Sequence, residues 1–324
     1  MLIFARESQL KIKRVVVFGH LPNTQWSWRA GRYTHTHSYI HAGYFRAFTA
    51  LGYETYWLDG NSASLANLPL DGTLFFTEGQ VEAKIPLSSK AGYITHSSSS
   101  KSYEAFDLRR LHLFNYVADL RNGDSFGFPG SKVEQINDVT YVDAKSKALY
   151  QPWATNLLPD EIDTNRVSLF DPRNRDINYV GTIGHDNISG RISKIKRQAR
   201  DIGVRIRVFS GVDDSEAEYL TRNSRVGMDI RGDWHLERGY VPCRAWKTLS
   251  YGKHLTSNSP LLSEIFGDRI HVEPNLDNFL DTAISSSAKA SRQVLVDNMK
   301  WVKENHTFVN RASRCAQTFQ ELCC

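Results

Sequence analysis

At 324 residues, with 41% hydrophobic and 23% charged residues, the chain is long enough for two hydrophobic cores, which excludes a disordered polypeptide. Its formal net charge of +5 is small, and basic residues are interleaved with acidic ones, so anionic small ligands are favoured and a nucleic-acid footprint is absent. No run approaches the roughly 18 apolar residues of a membrane span, no signal peptide is evident, and four cysteines without metal-ligand spacing read as reduced thiols, so the expected setting is cytoplasmic.

Residues 14–19 are a β-branched run ending in Gly19, the pattern of a buried parallel strand. The loop after it, rich in polar and aromatic residues (Trp26, Trp28, Tyr33), is not a G-x-G-x-x-G turn, so a dinucleotide fingerprint is missing. Its aromatics could stack on sugar rings or pack in the core. A helical period starting at His35 ends at Gly52, before a strand at 54–58. His37 and His41 share a face at i,i+4, the spacing of a metal pair, but no third ligand is near. No metal is therefore expected, and His37 reads as a cleft residue.

Strands at 74–76 and 91–95 end in Glu78 and His96, where open parallel sheets place ligands; the plain alternative for each is a hydrated loop side chain. Residues 121–150 predict one or two small strands. Residues 151–159 carry proline near both ends and read as a semi-rigid connector. The pattern then restarts: a strand ending at Gly181, a basic amphipathic helix at 191–202, a strand at 204–209, a helix at 213–223 and a strand at 225–230. Helix–strand and long helical patterns complete the chain.

Residues 229–258 concentrate the chemistry. A charged loop with Arg231, Asp233, His235, Glu237 and Arg238 leads to Pro242, which opens a short amphipathic helix stopped by Gly252. Free N–H groups at such a helix start, beside Arg244 and Lys247, make an anion site. The expected fold is α/β: two Rossmann-like domains facing a cleft.

Several motifs carry a resemblance. NYVGT at 178–182, VFSG at 208–211, YVPCRAWKTLSYG at 240–252, NHTFVNR at 305–311 and the connector PWATNLLP at 152–159 together resemble GT-B glycosyltransferases. The similarity is to the spore-maturation-protein-like and viral or bacterial surface-glycan group, and covers about residues 150–322. The first half is similar in pattern only, plus EGQ at 78–80.

The resemblance implies an acceptor domain over 1–150, a linker over 151–160, a nucleotide-sugar domain over 161–300, and a terminal helix over 301–324 crossing back to the first domain. It implies a metal-independent hexosyl-, pentosyl- or deoxyhexosyltransferase of glycan biosynthesis, without a cofactor, using a UDP- or GDP-linked sugar and a glycan or other hydroxyl acceptor. Arg244 and Lys247 would hold the diphosphate. Tyr251 and Asn258 would contact the nucleotide, Arg231 and Glu237 the sugar or phosphate, and Gly181 would form the turn that opens the donor domain. Lys247 stands where many such enzymes have a ribose-binding glutamate. An inverting enzyme would need a base, for which Glu78, then His37 and His96, are the candidates. A nucleotide-sugar epimerase of the same fold and a non-catalytic nucleotide- or glycan-binding module are the alternatives.

Overall fold

Strands form where β-branched and aromatic residues run together, and the computed structural model aligns most of them in parallel. It describes residues 10–18, 36–58, 68–78, 85–96, 108–116, 133–137, 139–184 and 186–324, without the side chains of residues 36–38 and 78. The first sheet holds β1 (Arg14–Phe18), β2 (Glu54–Leu58), β3 (Thr73–Glu78), β4 (Gly92–His96), β5 (Arg109–Phe114), β6 (Glu134–Asn137), β7 (Thr140–Asp143) and β8 (Ala148–Tyr150). Its order is β2-β1-β3-β4-β5-β8-β7-β6, parallel through β8 and antiparallel across β8, β7 and β6. Among the described residues between 121 and 150 there are three small strands, where one or two were expected.

The second half carries β9 (Asp176–Val180), β10 (Arg205–Phe209), β11 (Gly227–Asp229), β12 (Leu255–Ser257) and β13 (His271–Val272). β9 pairs with β10, and β11, β12 and β13 pair in that order, all parallel. The two ladders meet side by side, where the Ser224 hydroxyl accepts from Asn178 N at 2.9 Å and the Tyr179 hydroxyl donates to Ile230 O at 3.2 Å. The resulting order, β10-β9-β11-β12-β13, repeats the β2-β1-β3-β4-β5 order of the first sheet. That is a doubly wound order with a switch point beside the first strand.

Helix α1 (Thr36–Ala50) follows β1. In the second half come α2 (Ile188–Asp201), α3 (Asp214–Arg222), α4 (Asp233–Glu237), α5 (Cys243–Ser250), α6 (Leu261–Phe266), α7 (Phe279–Lys289), α8 (Arg292–Asn305) and α9 (Phe308–Cys323). The basic helix α2 buries only Ile188, Ile192, Ile195 and Ala199, so its charges lie on a solvated face. None of the described helices is long and apolar enough to cross a membrane.

The segment 151–157 is buried, not a free connector. Arg311 donates from Nε to Pro152 O at 2.9 Å, Arg46 donates to Asn156 O at 2.9 Å, and the Thr155 and Ser250 hydroxyls are 2.8 Å apart. Arg311 also reaches Nδ1 of His306, whose ring stacks on Trp246 at 4.5 Å. Burial first, and then the Arg311 charge, hold the His306 pKa down at about 2. The NHTFVNR motif is thus a structural knot: a neutral histidine, the Thr307–Asn310 capping box that starts α9, and an arginine that ties the helix to the connector.

Helix α9 packs back on α1 and the first sheet, as the resemblance implied. Glycines seat it. A Cβ on Gly43 of α1 would lie 2.5 Å from the Phe308 ring, and one on Gly92 of β4 would lie 2.2 Å from the Phe319 ring. Phe319 is fully buried there. Phe319→Ala should therefore lower unfolding free energy by about 3–5 kcal/mol, read from urea denaturation.

Candidate functional site

The loops after β9 and β10 and the first turn of α5 open onto a cavity of about 550 Å³, a volume suited to a small molecule. Its walls come from both halves of the chain. Val180, Gly181, Ser210, Gly211 and Arg244 stand on one side; Tyr39, Asn115 and Tyr116 on the other. Tyr116 and Tyr240 form an isolated antiparallel bridge across the seam.

The site is organised by one carboxylate. Asp229, at the end of β11, is fully buried. Both of its oxygens accept from Arg231 (Nε to Oδ2, 3.1 Å, and Nη2 to Oδ1). Ser257 donates to Oδ2 at 2.8 Å, and Arg244 Nη1 to Oδ1 at 3.2 Å. Burial alone would push this carboxyl up; the two guanidinium charges and these hydrogen bonds outweigh it and hold the pKa below the ordinary value. Two guanidinium groups share one carboxylate, so the cluster carries an excess positive charge.

Arg244 delivers that charge to the cavity. Its Nε donates to Val180 O at 2.9 Å, its Nη1 to the Tyr179 hydroxyl at 2.7 Å, and the guanidinium lies over the Tyr179 ring at 4.2 Å. Nη2 has no hydrogen-bond partner among the described residues, and the side chain is 19% exposed. It passes against Gly181, where a Cβ would fall 1.9 Å from Nη2 and where φ is +147°, a backbone state that L side chains rarely adopt. α5 starts after Pro242 without a side-chain cap, so its first turn adds backbone polarity beside this arginine.

Five of the residues given a binding role by the resemblance come together at the cavity: Gly181, Arg231, Arg244, Lys247 and Tyr251. Their bonds differ from those expected. Lys247 pairs with Asp214 at 3.2 Å within the second half, and its ammonium lies over the Tyr39 ring of the first half at 4.3 Å. Tyr251 donates to Asn156 Oδ1 at 2.7 Å, and burial pushes its phenol well above the ordinary range. Asn258 is buried off the cavity wall, where its amide accepts from Arg231 N at 2.7 Å and donates to Arg231 O at 3.0 Å. Glu237 is exposed on α4, also off the wall.

His96, paired in register with Glu78 at the strand ends, is buried behind the wall with its ring 4.7 Å from Trp153 and Nε2 3.2 Å from Asn115 Oδ1. His41 is buried beside it, ring to ring at 6.1 Å. The side chains of Glu78 and His37 lie outside the described residues, as do His35, Trp26, Trp28, Tyr33 and the rest of the EGQ turn. Among the described residues no three His, Cys, Asp or Glu side chains gather as a metal site requires, and all four cysteines are free. Sequence reasoning named His235 in the charged loop but gave no role to it, to its partner Asp186, or to Asp229 and Asp214. An acid inside the apolar run 226–230 was the available signal for Asp229.

No family model matches the chain, and no curated protein matches it. Solved structures do. AviGT4, a glycosyltransferase involved in avilamycin A biosynthesis, superposes with a TM-score of 0.54 at 9% identity, over 96% of this chain and 98% of that one. An E. coli trehalose-6-phosphate protein bound with UDP-2-fluoro glucose gives 0.53 at 9%, over 95% and 99%. A glycosyltransferase from Rickettsia africae ESF-5 gives 0.50 at 11%, over 96% and 98%. The chain therefore has an α/β fold with parallel sheets, structurally similar to GT-B glycosyltransferases.

Replacing Asp229 strands buried positive charge. Asp229→Asn should cost about 3–5 kcal/mol of stability at neutral pH, measured by chemical denaturation. The folded-state pKa is depressed, so this stabilisation is present above the unfolded value and is lost as pH falls through the folded one. The variant should accordingly show a flatter loss of stability on the acid side than the wild type.

Proposed function

We propose that the protein is a glycosyltransferase that moves a sugar from a nucleotide-sugar donor, UDP- or GDP-linked, to a hydroxyl acceptor. The observation that carries this reading is Arg244: a guanidinium fixed by Asp229, Tyr179 and Val180 O, with Nη2 uncommitted, at the mouth of a cavity between two parallel sheets. Such a group meets the negative charge that builds on a departing diphosphate, and charge held in place before the reaction is usually the largest catalytic contribution. The loops 180–182 and 210–212 and the uncapped start of α5 bring backbone groups to the same space. The UDP-2-fluoro glucose bound by a protein of this fold is consistent with that use.

In this reading residues 161–300 form the donor domain and 1–150 the acceptor domain, with 151–160 and the returning terminal helix joining them. The donor nucleoside lies toward α3 and α5, near Asp214, Ala217, Thr221 and Tyr251. Lys247, paired with Asp214 in its own half and lying over Tyr39 of the other, serves the contact between the halves more than it serves phosphate directly.

A panel of UDP-, GDP- and dTDP-sugars, read by thermal shift, tests the assignment. One class should raise the melting temperature of the wild type. Arg244→Ala, which leaves Asp229 its bonds from Arg231 and Ser257, should keep the native circular dichroism while losing that shift and donor turnover. Near-normal transfer by the folded variant would remove the phosphate role. Conversion of donor to an epimer with no acceptor present would favour the epimerase reading.

A further inference from the structure

A second built feature stands at the cavity where the loop before α2 meets the start of α4. Asp186 and Asn187 are left-handed, at φ +56° and +58°, a state that costs a non-glycine residue about 1 kcal/mol or more. The strain brings the Asp186 carboxylate to the start of α4. There Oδ1 accepts from Trp234 N at 2.8 Å, Oδ2 accepts from His235 N at 3.0 Å, and Oδ2 lies 3.1 Å from Nδ1 of His235. The approach requires Gly232: a Cβ there would fall 1.6 Å from the Asp186 carbonyl oxygen and 2.4 Å from its carboxyl group.

The ring so held lines the cavity and packs on Tyr240 at 5.0 Å and Trp234 at 5.3 Å. The Asp186 carboxylate 3.1 Å from the buried Nδ1 is an ion-pair contact, and its negative charge favours the tautomer that carries the proton on Nδ1 and leaves Nε2 as the acceptor. Burial first, and then the Arg231 charge, lower the ring's pKa, while Asp186 and Asp229 pull the other way; the ring is neutral near pH 7 and fit to take a proton. Beside it Tyr116 and Trp234 meet edge to face at 5.4 Å, with the Arg238 guanidinium over both and Trp234 48% exposed. An aromatic face of this kind, one side apolar and the rim polar, suits the flank of a sugar ring.

Resting on the glycosyl-transfer reading, we propose that His235, oriented by Asp186, is the base that deprotonates the acceptor, and that the acceptor is a carbohydrate lying against Trp234 and Tyr116. The acceptor O–H proton passes to Nε2 as its oxygen bonds the anomeric carbon. The bond from that carbon to the diphosphate oxygen breaks, and its electron pair leaves with the nucleoside diphosphate toward Arg244. Asp186 stays ionised. Attack comes from the face opposite the leaving group, so the product has inverted anomeric configuration.

The test measures nucleoside diphosphate release with a panel of p-nitrophenyl monoglycosides, against water alone, for wild type, His235→Gln and Asp186→Asn. At least one glycoside should accelerate release by the wild type. His235→Gln should lose about 10²–10⁴-fold in kcat while keeping the donor's thermal shift. Wild-type kcat/KM should fall on the acid side as the ring protonates, a limb absent from His235→Gln and displaced in Asp186→Asn. The linked product should show inversion by NMR. Near-wild-type kcat in His235→Gln, retention of configuration, or no glycoside acting above water would overturn this proposal while donor binding stands. Absence of any donor thermal shift in the wild type would instead bring down the glycosyl-transfer reading itself.

Discussion

A carboxylate with no exposure to water must be fully paired, and how Asp229 meets that demand shapes the second half of the chain. Its partners come from three places: Arg231 just past β11, Ser257 at the end of β12, and Arg244 in the first turn of α5. Desolvating an ion costs several kcal/mol, recovered here by two guanidinium groups and a hydroxyl in good geometry. The pairing fixes the β11 and β12 ends and α5 relative to one another. It leaves one positive charge in excess, and Arg244 presents that charge to the cavity beside Gly181.

The same cavity depends on how the two halves are held together. The chain crosses between them through the buried segment 151–157 and returns in α9, and Arg311 bonds both crossings at once through Pro152 O and the turn at Asn305 and His306. Across the mouth, contacts among the described residues include Lys247 over Tyr39, the Tyr116–Tyr240 bridge, and Tyr116 against Trp234 and Arg238.

Much of the architecture was legible in the sequence. The runs at 14–19, 177–181 and 204–209 are parallel strands: the first is buried on both faces, while the other two bury one face through Ile177, Tyr179 and Ile206 and leave the alternate side chains half-buried or exposed. Gly181 and the Pro242–Gly252 frame marked the cavity. The bonds of the site were harder to read, because they join residues far apart in the chain. Arg244 meets Asp229 across 15 positions, Ser257 across 28, and His235 meets Asp186 across 49. Lys247 looked like a phosphate ligand because its acid, Asp214, sits 33 residues earlier at the start of another helix. The resemblance offered Tyr251, Asn258 and Arg231 as ligand contacts; the structural bonds that each also makes come only from the folded array. The NHTFVNR motif had a recognisable order, but its physical role as a knot between connector and terminal helix required the fold.

The central claim is that the excess charge left by Asp229 is aimed, through Arg244, at a diphosphate. A crystal structure with an intact or fluorinated UDP- or GDP-sugar tests it most directly. The account predicts diphosphate oxygens within hydrogen-bond distance of Arg244 Nη2, between the 180–182 and 210–212 loops and the start of α5. A nucleotide seated elsewhere, such as the polar crevice of about 420 Å³ between Asn137, Thr140 and the Asn310–Gln317 face of α9, with Arg244 untouched, would contradict it.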